Sequence, residues 1–336
     1  MRIKRNSTSI KGRLQGSWAA KVVECIVAKN LVSHKPLKSI LSVVVILLFC
    51  TPTQSQYYYY NKEYYDNDFL LEGGISIGLM KGVTDVGAKK GGSFSPATYD
   101  WKTIQPFAGI YVGMTYKYLY EVRLELNFGH IEGNDANSNS NFVKSRNLHY
   151  KTSIVEGSLL AAVYPLMFLN TDNIPAFSPY VMAGVGIFSF YPTGYYKGNW
   201  YRLRRLHTEG QTSVEFPERK EYNLKSICFP MGLGLRYEIN HKINLRVEGI
   251  YRNTLSDYLD DVSKTYVDPD VVKRRAPKAE REEAVAFAQM YKQVFPNANF
   301  VGRNRGNANT TDKYFTINFK VGYVLGRTRI KQKDVP

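Results

Sequence analysis

Glu121-Val122-Arg123-Leu124-Glu125-Leu126-Asn127-Phe128 alternates a charged or amide side chain with a bulky apolar one over its whole length. A period of two places the two sets on opposite faces of an extended strand. On a helix the same residues would scatter charge around the circumference, so the stretch reads as a strand. The pattern recurs along the chain. Ile243, Leu245, Val247 and Tyr251 oppose Asn244, Arg246, Glu248 and Arg252. Phe315, Ile317, Phe319, Val321, Tyr323 and Leu325 oppose Thr316, Asn318, Lys320 and Gly322. Ile227 to Tyr237 and Leu71 to Leu79 alternate in the same way, the second against Glu72, Gly74, Ser76 and Gly78. Less regular strands fall around 104–117, 148–164 and 179–190. In 104–117, Ala108, Ile110, Val112 and Met114 share one face and Phe107 and Tyr111 the other. The total is eight.

The connections alternate in length. Long links at 80–102, 132–147, 191–221 and 256–311 are interleaved with short ones at 118–120, 166–177 and 240–242. Long loops at one end and tight turns at the other mark an outer-membrane barrel, with both termini on the periplasmic side. The expected fold is therefore all-β: an eight-stranded antiparallel transmembrane β-barrel with long extracellular loops, spanning 69–326. A short amphipathic helix is expected in the last loop, between Pro277 and Pro296, where Phe287, Met290, Tyr291 and Val294 keep helical spacing. The polar faces carry Glu72, Arg123, Glu125, Arg236, Glu238, Arg246, Glu248 and Lys320, four acids and four bases. In a soluble sandwich that face would meet water. In an eight-stranded barrel it points into a lumen just wide enough for side chains, where balanced charges pair. Aromatics near strand ends (Tyr116, Tyr118, Tyr120, Tyr164, Tyr180, Phe188, Tyr191) are expected at the membrane interfaces and favour the membrane reading.

The beginning of the chain is a secretory signal. Nine bases and one acid precede the apolar run Ile40 to Phe49, and Thr53 and Ser55 supply small residues for cleavage after position 55. The leader is long. Its conventional part starts near Leu31, so one reading places the true start there and 1–30 in a misassigned extension. Cleavage removes much of the formal charge of +16, since 36 of the 45 bases and 28 of the 29 acids remain, a net +8. The basicity is thus no argument for nucleic acid, and no nucleic-acid partner is expected. Cys228 is the lone mature cysteine, which excludes an internal disulfide and a thiolate metal cluster. No stretch of the mature chain is apolar for the roughly 18 residues a membrane-spanning helix needs.

Catalytic chemistry is thinly represented. Outer-membrane barrels can be lipases, acyltransferases or proteases, which need a nucleophile, a base and an orienting group within reach. His130 sits on the apolar face of the third strand, and His207 lies in a loop beside Thr208 and Glu209, neither next to a serine elbow. The stretch Asp257, Asp260, Asp261, Asp268, Asp270 is rich in carboxylates but lacks the spacing of a calcium loop. Turn and cap residues are the better reading. The basic, Gly-rich segment Gly302 to Asn307 reads as a turn into the last strand. No catalytic residue, metal or cofactor is expected.

Three stretches carry a resemblance. They are Gly198-Asn199-Trp200-Tyr201 with Thr208-Glu209-Gly210-Gln211; Ser256-Asp257-Tyr258-Leu259-Asp260-Asp261-Val262-Ser263 with Tyr266; and Arg305-Gly306-Asn307 with Asp312, Tyr314 and Phe315. With Gln56 as the mature start, the chain resembles the Bacteroidetes outer-membrane barrel family that includes PorG, a subunit of the type IX secretion system. The likeness runs over roughly 68–326. It implies a non-enzymatic barrel in the outer membrane of a Gram-negative, Bacteroidetes-like bacterium, contacting outer-membrane lipid. It also implies that the barrel anchors the secretion system's periplasmic ring through the ring's lipoprotein. The chain departs from a usual barrel in its basic tail, 327–336, and in a long insertion at 267–300. The periplasmic surfaces open to such a partner are the tyrosine-rich segment 56–68, the turns at Leu119 and His241, the 166–177 link and the tail. The alternative is a surface-binding or adhesion barrel that works through its long outer loops.

Overall fold

The computed structural model describes residues 68–87, 101–168, 177–240 and 242–325. The signal segment, the N-terminal tyrosines through Tyr65, the tail 327–336, His241 and most of the 166–177 link fall outside these. Among the described residues there are nine strands: β1 (Phe69–Val83), β2 (Gln105–Tyr116), β3 (Tyr120–Asn134), β4 (His149–Val163), β5 (Phe177–Tyr196), β6 (Asn199–Arg202), β7 (Lys225–Glu238), β8 (Ile243–Thr254) and β9 (Lys313–Leu325). All but β6 build the barrel. Each pairs antiparallel with its neighbour in the chain, β5 with β7 directly, and β1 pairs with β9, from Leu71↔Leu325 to Val83↔Lys313, so the sheet closes on itself. Closure leaves no unpaired edge, which is the condition for placing strands in lipid.

Alternation decides which face goes where. In β3, Val122, Leu124, Leu126 and Phe128 point outward and stay 38–58% exposed, while Glu121, Arg123, Glu125 and Asn127 are buried. Every barrel strand repeats this inversion of a soluble core. The outward belt of Ile, Leu, Val and Phe far exceeds the few hundred Å² a soluble monomer tolerates. On β5 it runs from Phe177 to Ile187. Ten steps at about 3.3 Å, tilted by about 40°, give about 25 Å of height, the thickness of the apolar band of outer-membrane barrels. Paired rings close the short-turn end of the belt: Phe69 with Tyr116 at 4.9 Å and Phe177 with Tyr237 at 4.5 Å.

The interface aromatics expected from sequence divide by parity. Tyr116, Tyr120 and Tyr191 point outward. Tyr118, Tyr164, Tyr180 and Phe188 point inward and are buried, so they fill the lumen rather than line the membrane. The barrel accommodates such rings by setting them over glycines. Tyr111 lies directly across from Gly74, and a Cβ there would sit 2.7 Å from its ring. Tyr180 covers Gly234 in the same way.

The last loop is more segmented than the single helix expected over Lys278 to Phe295. Helix α1 (Asn141–Arg146) lies in the second long loop, and the last loop holds α2 (Pro269–Arg275) and α3 (Arg281–Ala288), flanked by short 3-10 turns. Pro277 stops α2 by forcing Ala276 into extended backbone, ψ 150°. Phe287, Met290 and Tyr291 are buried as their spacing implied, whereas Val294 is exposed. β5 runs on beyond the barrel into a hairpin with β6. Its two-residue turn, Lys197-Gly198, has φ of 47° and 88°, the twist that suits a tight hairpin.

Candidate functional site

Two structures occupy the axis of the barrel: a charged lumen and a folded cap over its long-loop end. In the lumen, Arg246 on β8 reaches across to β1, where its Nε and Nη2 each lie 2.9 Å from the two oxygens of Glu72. Its Nη1 donates to Glu121 at 2.8 Å and to the Tyr164 hydroxyl oxygen at 2.9 Å. Tyr111 and Asn244 donate to Glu72 at 2.6 Å each. The fork–fork geometry and the extra donors satisfy both carboxylate oxygens, which is what a buried ion pair needs to repay its desolvation.

One layer along, Arg123 pairs with Glu125 at 2.7 Å and Glu248 at 2.8 Å. Lys320 bridges the same two carboxylates, at 2.8 Å from Glu248 and in short contact with Glu125. The Tyr111 ring lies beneath three cations, Arg123, Arg246 and Lys320, at 5.1–5.8 Å. Towards the long-loop end, Arg252 meets Glu156 at 2.6 Å, and Tyr314 donates to the same carboxylate. Towards the short-turn end, Arg236 lies 3.7 Å from Glu238 and stacks over Tyr164 at 4.4 Å. All eight lumen charges read from sequence face inward and are buried. Sequence reasoning left Glu121, Glu156 and Arg252 off that set. Glu121 and Arg252 had the right parity beside Val122 and Tyr251. Glu156 lies on a strand whose inward face also holds Ile154 and Leu160, which hid it.

Above the lumen, residues from four loops share one core. Val86, Leu148, Leu203, Leu206, Leu259, Val262, Val272, Phe287 and Met290 pack with Phe188, Phe190 and Tyr314 from the barrel. The three resembling stretches converge here. Glu209 accepts from the backbone of Ser263 (2.9 Å) and Lys264 (3.1 Å) and pairs with Arg305 at 3.1 Å. Arg305 also donates to the Asp261 carbonyl at 2.6 Å. Thr208 and Tyr222 donate to the Asp261 carboxylate. Asp260 accepts from Val86 and Val262, and Asp312 from Leu259. Tyr258 stacks on Tyr222 at 4.5 Å. Gly306 lies where a Cβ would come within 3 Å of the Ser263 backbone, and Asn307 donates its N–H to Asp85. Tyr201 packs against Phe287, and Gly210 takes φ 70° in the turn after His207. Trp200 stands outside the core, 56% exposed, against Tyr195. Asp135 and Arg146, which no local pattern singles out, tie the second loop to the Asp85 and Arg305 carbonyls.

Burial shifts four cap aspartates upward. Desolvation, with Asp85 nearby, raises Asp260 well above the usual carboxylate range. Desolvation, with Asp260 and Asp257 nearby, does the same for Asp312. Burial pushes Asp257 to about 7, and pushes Asp261 to about 6 against the pull of Arg305. Of the aspartates expected to be turn or cap residues, Asp268 is the exposed N-cap of α2, whereas Asp260 is a buried acceptor for loop backbone and Asp261 a buried acceptor for Thr208 and Tyr222. His130 points outward from β3, and His207 sits in the cap, where burial lowers its pKa. Neither has a serine or carboxylate hydrogen bond among the described contacts. Cys228 is buried beside Tyr314, with Sγ 3.9 Å from its hydroxyl.

No family model and no curated protein matches the chain. Among solved structures it is similar to Ail, the attachment invasion locus protein of Yersinia pestis, in complex with the heparin analogue sucrose octasulfate. Identity is 10%, the TM-score is 0.33, and the match covers 76% of this chain and 99% of Ail. It is likewise similar to Neisserial surface protein A (8%, TM-score 0.32, 76% and 97% covered). A third is the outer membrane protein OprG from Pseudomonas aeruginosa (12%, TM-score 0.32, 79% and 99% covered). The fold itself is established by the closed ladder and the outward apolar belt of this chain.

Proposed function

We propose that the protein is a non-enzymatic outer-membrane barrel that serves as a structural subunit of the type IX secretion system, holding the periplasmic ring to the outer membrane through the ring's lipoprotein. The observation that carries the non-enzymatic part is the lumen. Its carboxylates are each engaged by a guanidinium, an ammonium or a tyrosine hydroxyl, which leaves no free base beside a nucleophile. The secretion role rests on the resemblance stretches. A barrel filled along its axis works through its surfaces, and an anchor needs only those.

One observation favours the second reading, a surface-binding barrel. The resemblance stretches build the cap rather than the short turns, and the cap presents Trp200, Tyr195, Arg202 and Arg205 outward from its packed core. Cross-linking in intact cells, followed by affinity purification and mass spectrometry, separates the two. Cross-links from periplasmic turns to a ring lipoprotein are the expected result. A clean, heat-modifiable barrel free of ring subunits, with cross-links only from the cap, would move the function to the surface.

A further inference from the structure

We propose that the barrel carries a binding groove for the phosphorylated headgroup of an outer-leaflet lipid, formed by Arg202, Arg204 and Arg205 beside Tyr191. The groove encloses about 160 Å³ between the end of β5, the segment after β6 and the segment leading into β7. Its lining joins three guanidinium groups to the ring of Tyr191 and the side chains of Pro192 and Leu224. One acid, Glu221, lies in it.

Three features select the ligand. The first is height. The apolar belt on this side ends at the Ile187↔Ile227 pair. The next outward residues are Ser189, opposite Lys225, and Tyr191, opposite Ser153. A change within a single step from Ile to Ser, Lys and Tyr marks the boundary between acyl chains and headgroups. The groove opens at that level, not at the top of the cap.

The second is charge. Arg204 pairs with Glu221 at 3.2 Å and Arg205 with Glu280 at 3.1 Å. Arg202 and Lys225 are exposed and have no carboxylate partner among the described residues. The local surplus is positive, and guanidinium forks suit the paired oxygens of phosphate. The third is amphipathy. Tyr191 is 41% exposed on the lipid side and bounds the groove, so a ligand can keep its acyl chains on the belt while its phosphate reaches the arginines. A free phosphate would have no use for that continuity. The groove rests on the membrane-embedded barrel and is independent of the choice between ring anchor and surface binder.

Native mass spectrometry of the full-length barrel in detergent tests this. The probe is a bisphosphorylated diglucosamine lipid, compared with the same lipid lacking phosphates. The variants are Arg202→Gln alone, Arg202→Gln with Arg205→Gln, and Lys242→Gln on the opposite rim. Heat-modifiable migration on gels reports separately that each barrel is folded. The expected result is binding about tenfold weaker for the double variant, an intermediate loss for Arg202→Gln and none for Lys242→Gln, with the phosphate-free lipid bound no better by the native protein than by the double variant. Equal binding by folded native and double-variant protein would overturn the groove. Complete displacement of the lipid by millimolar inorganic phosphate would reassign it to a free anion. A sulfated polysaccharide that binds through these arginines where the lipid does not would also overturn the lipid assignment.

Discussion

At the residue scale the lumen is held by Arg246, which reaches from β8 to neutralise two carboxylates, Glu72 on β1 and Glu121 on β3. Its replacement by methionine removes the charge, leaving Glu72 with only tyrosine and amide donors and Glu121 with Tyr164 and the longer 3.5 Å contact to Arg123. Breaking a buried pair in this way costs about 3–5 kcal/mol. The expected outcome is a lower urea midpoint for unfolding from micelles, with loss of heat-modifiability in the same range. Adding Glu72→Gln and Glu121→Gln to Arg246→Met should restore most of the stability, because the lone charges are then gone. If the single variant unfolds at the native midpoint, the network is ornamental and the belt and backbone ladder alone hold the barrel. The same sites show what single residues reveal in sequence. Arg246 and Glu72 were legible because parity exposes them between apolar neighbours. Which carboxylate each base selects was not, since pairing across a lumen depends on strands far apart in the chain.

At the scale of elements, the cap has its own polar clamps and shares its apolar core with Phe188, Phe190 and Tyr314 of the barrel, above the paired lumen charges. Phe287 is 3% exposed and packs on Tyr196 and Tyr201. Phe287→Ala should cost the cap about 3–5 kcal/mol through the cavity left behind. Hydrogen exchange is expected to accelerate at Leu259, Val262 and the α3 amides while the barrel strands keep their protection. Uniform loss of protection across both would show that cap and barrel unfold together. The cap also responds to acidity. Asp257, Asp260, Asp261 and Asp312 have folded pKa values above their unfolded ones, so the folded cap prefers their protonated forms. That contribution is fully present below about pH 4 and is lost as pH rises through the folded values, about 6 for Asp261 and about 7 for Asp257. His207 works in the opposite sense below its ordinary range, but it is one group against four. Protection of the Leu259 and Val262 amides, corrected for intrinsic exchange, should therefore fall between pH 5 and pH 8. Asp260→Asn with Asp312→Asn should flatten that slope. A flat native profile, or one rising with pH, would sink the assignment. Little of this element was visible in advance. The carboxylates read as turn residues because sequence shows composition, while burial comes from loops 50 residues or more apart folding together, as when Glu209 receives the backbone of Ser263.

At the scale of the whole molecule, alternation, loop asymmetry and strand number specified the barrel because each is a property of local order in the chain. What the local pattern could not specify is how completely the axis is blocked. Eight strands leave room for side chains and no more, and here that room is filled twice: once by the layers around Arg123, Arg246, Arg252 and Lys320, and again by the cap core over Tyr314. The two seals are made by different parts of the chain, so removing one tests the other. The intact protein in a planar bilayer should show no discrete conductance steps. A variant with 256–311 replaced by a short turn should remain closed, because all five bases of the lumen are still paired. Conductance should appear only when Arg123→Ala and Arg246→Ala are combined with the shortened loop, which vacates the narrowest layers and leaves carboxylates that favour cations. Channel-sized steps from the intact barrel would mean that the pairs open in the membrane, and the protein would then be a pore rather than a scaffold or a binding platform.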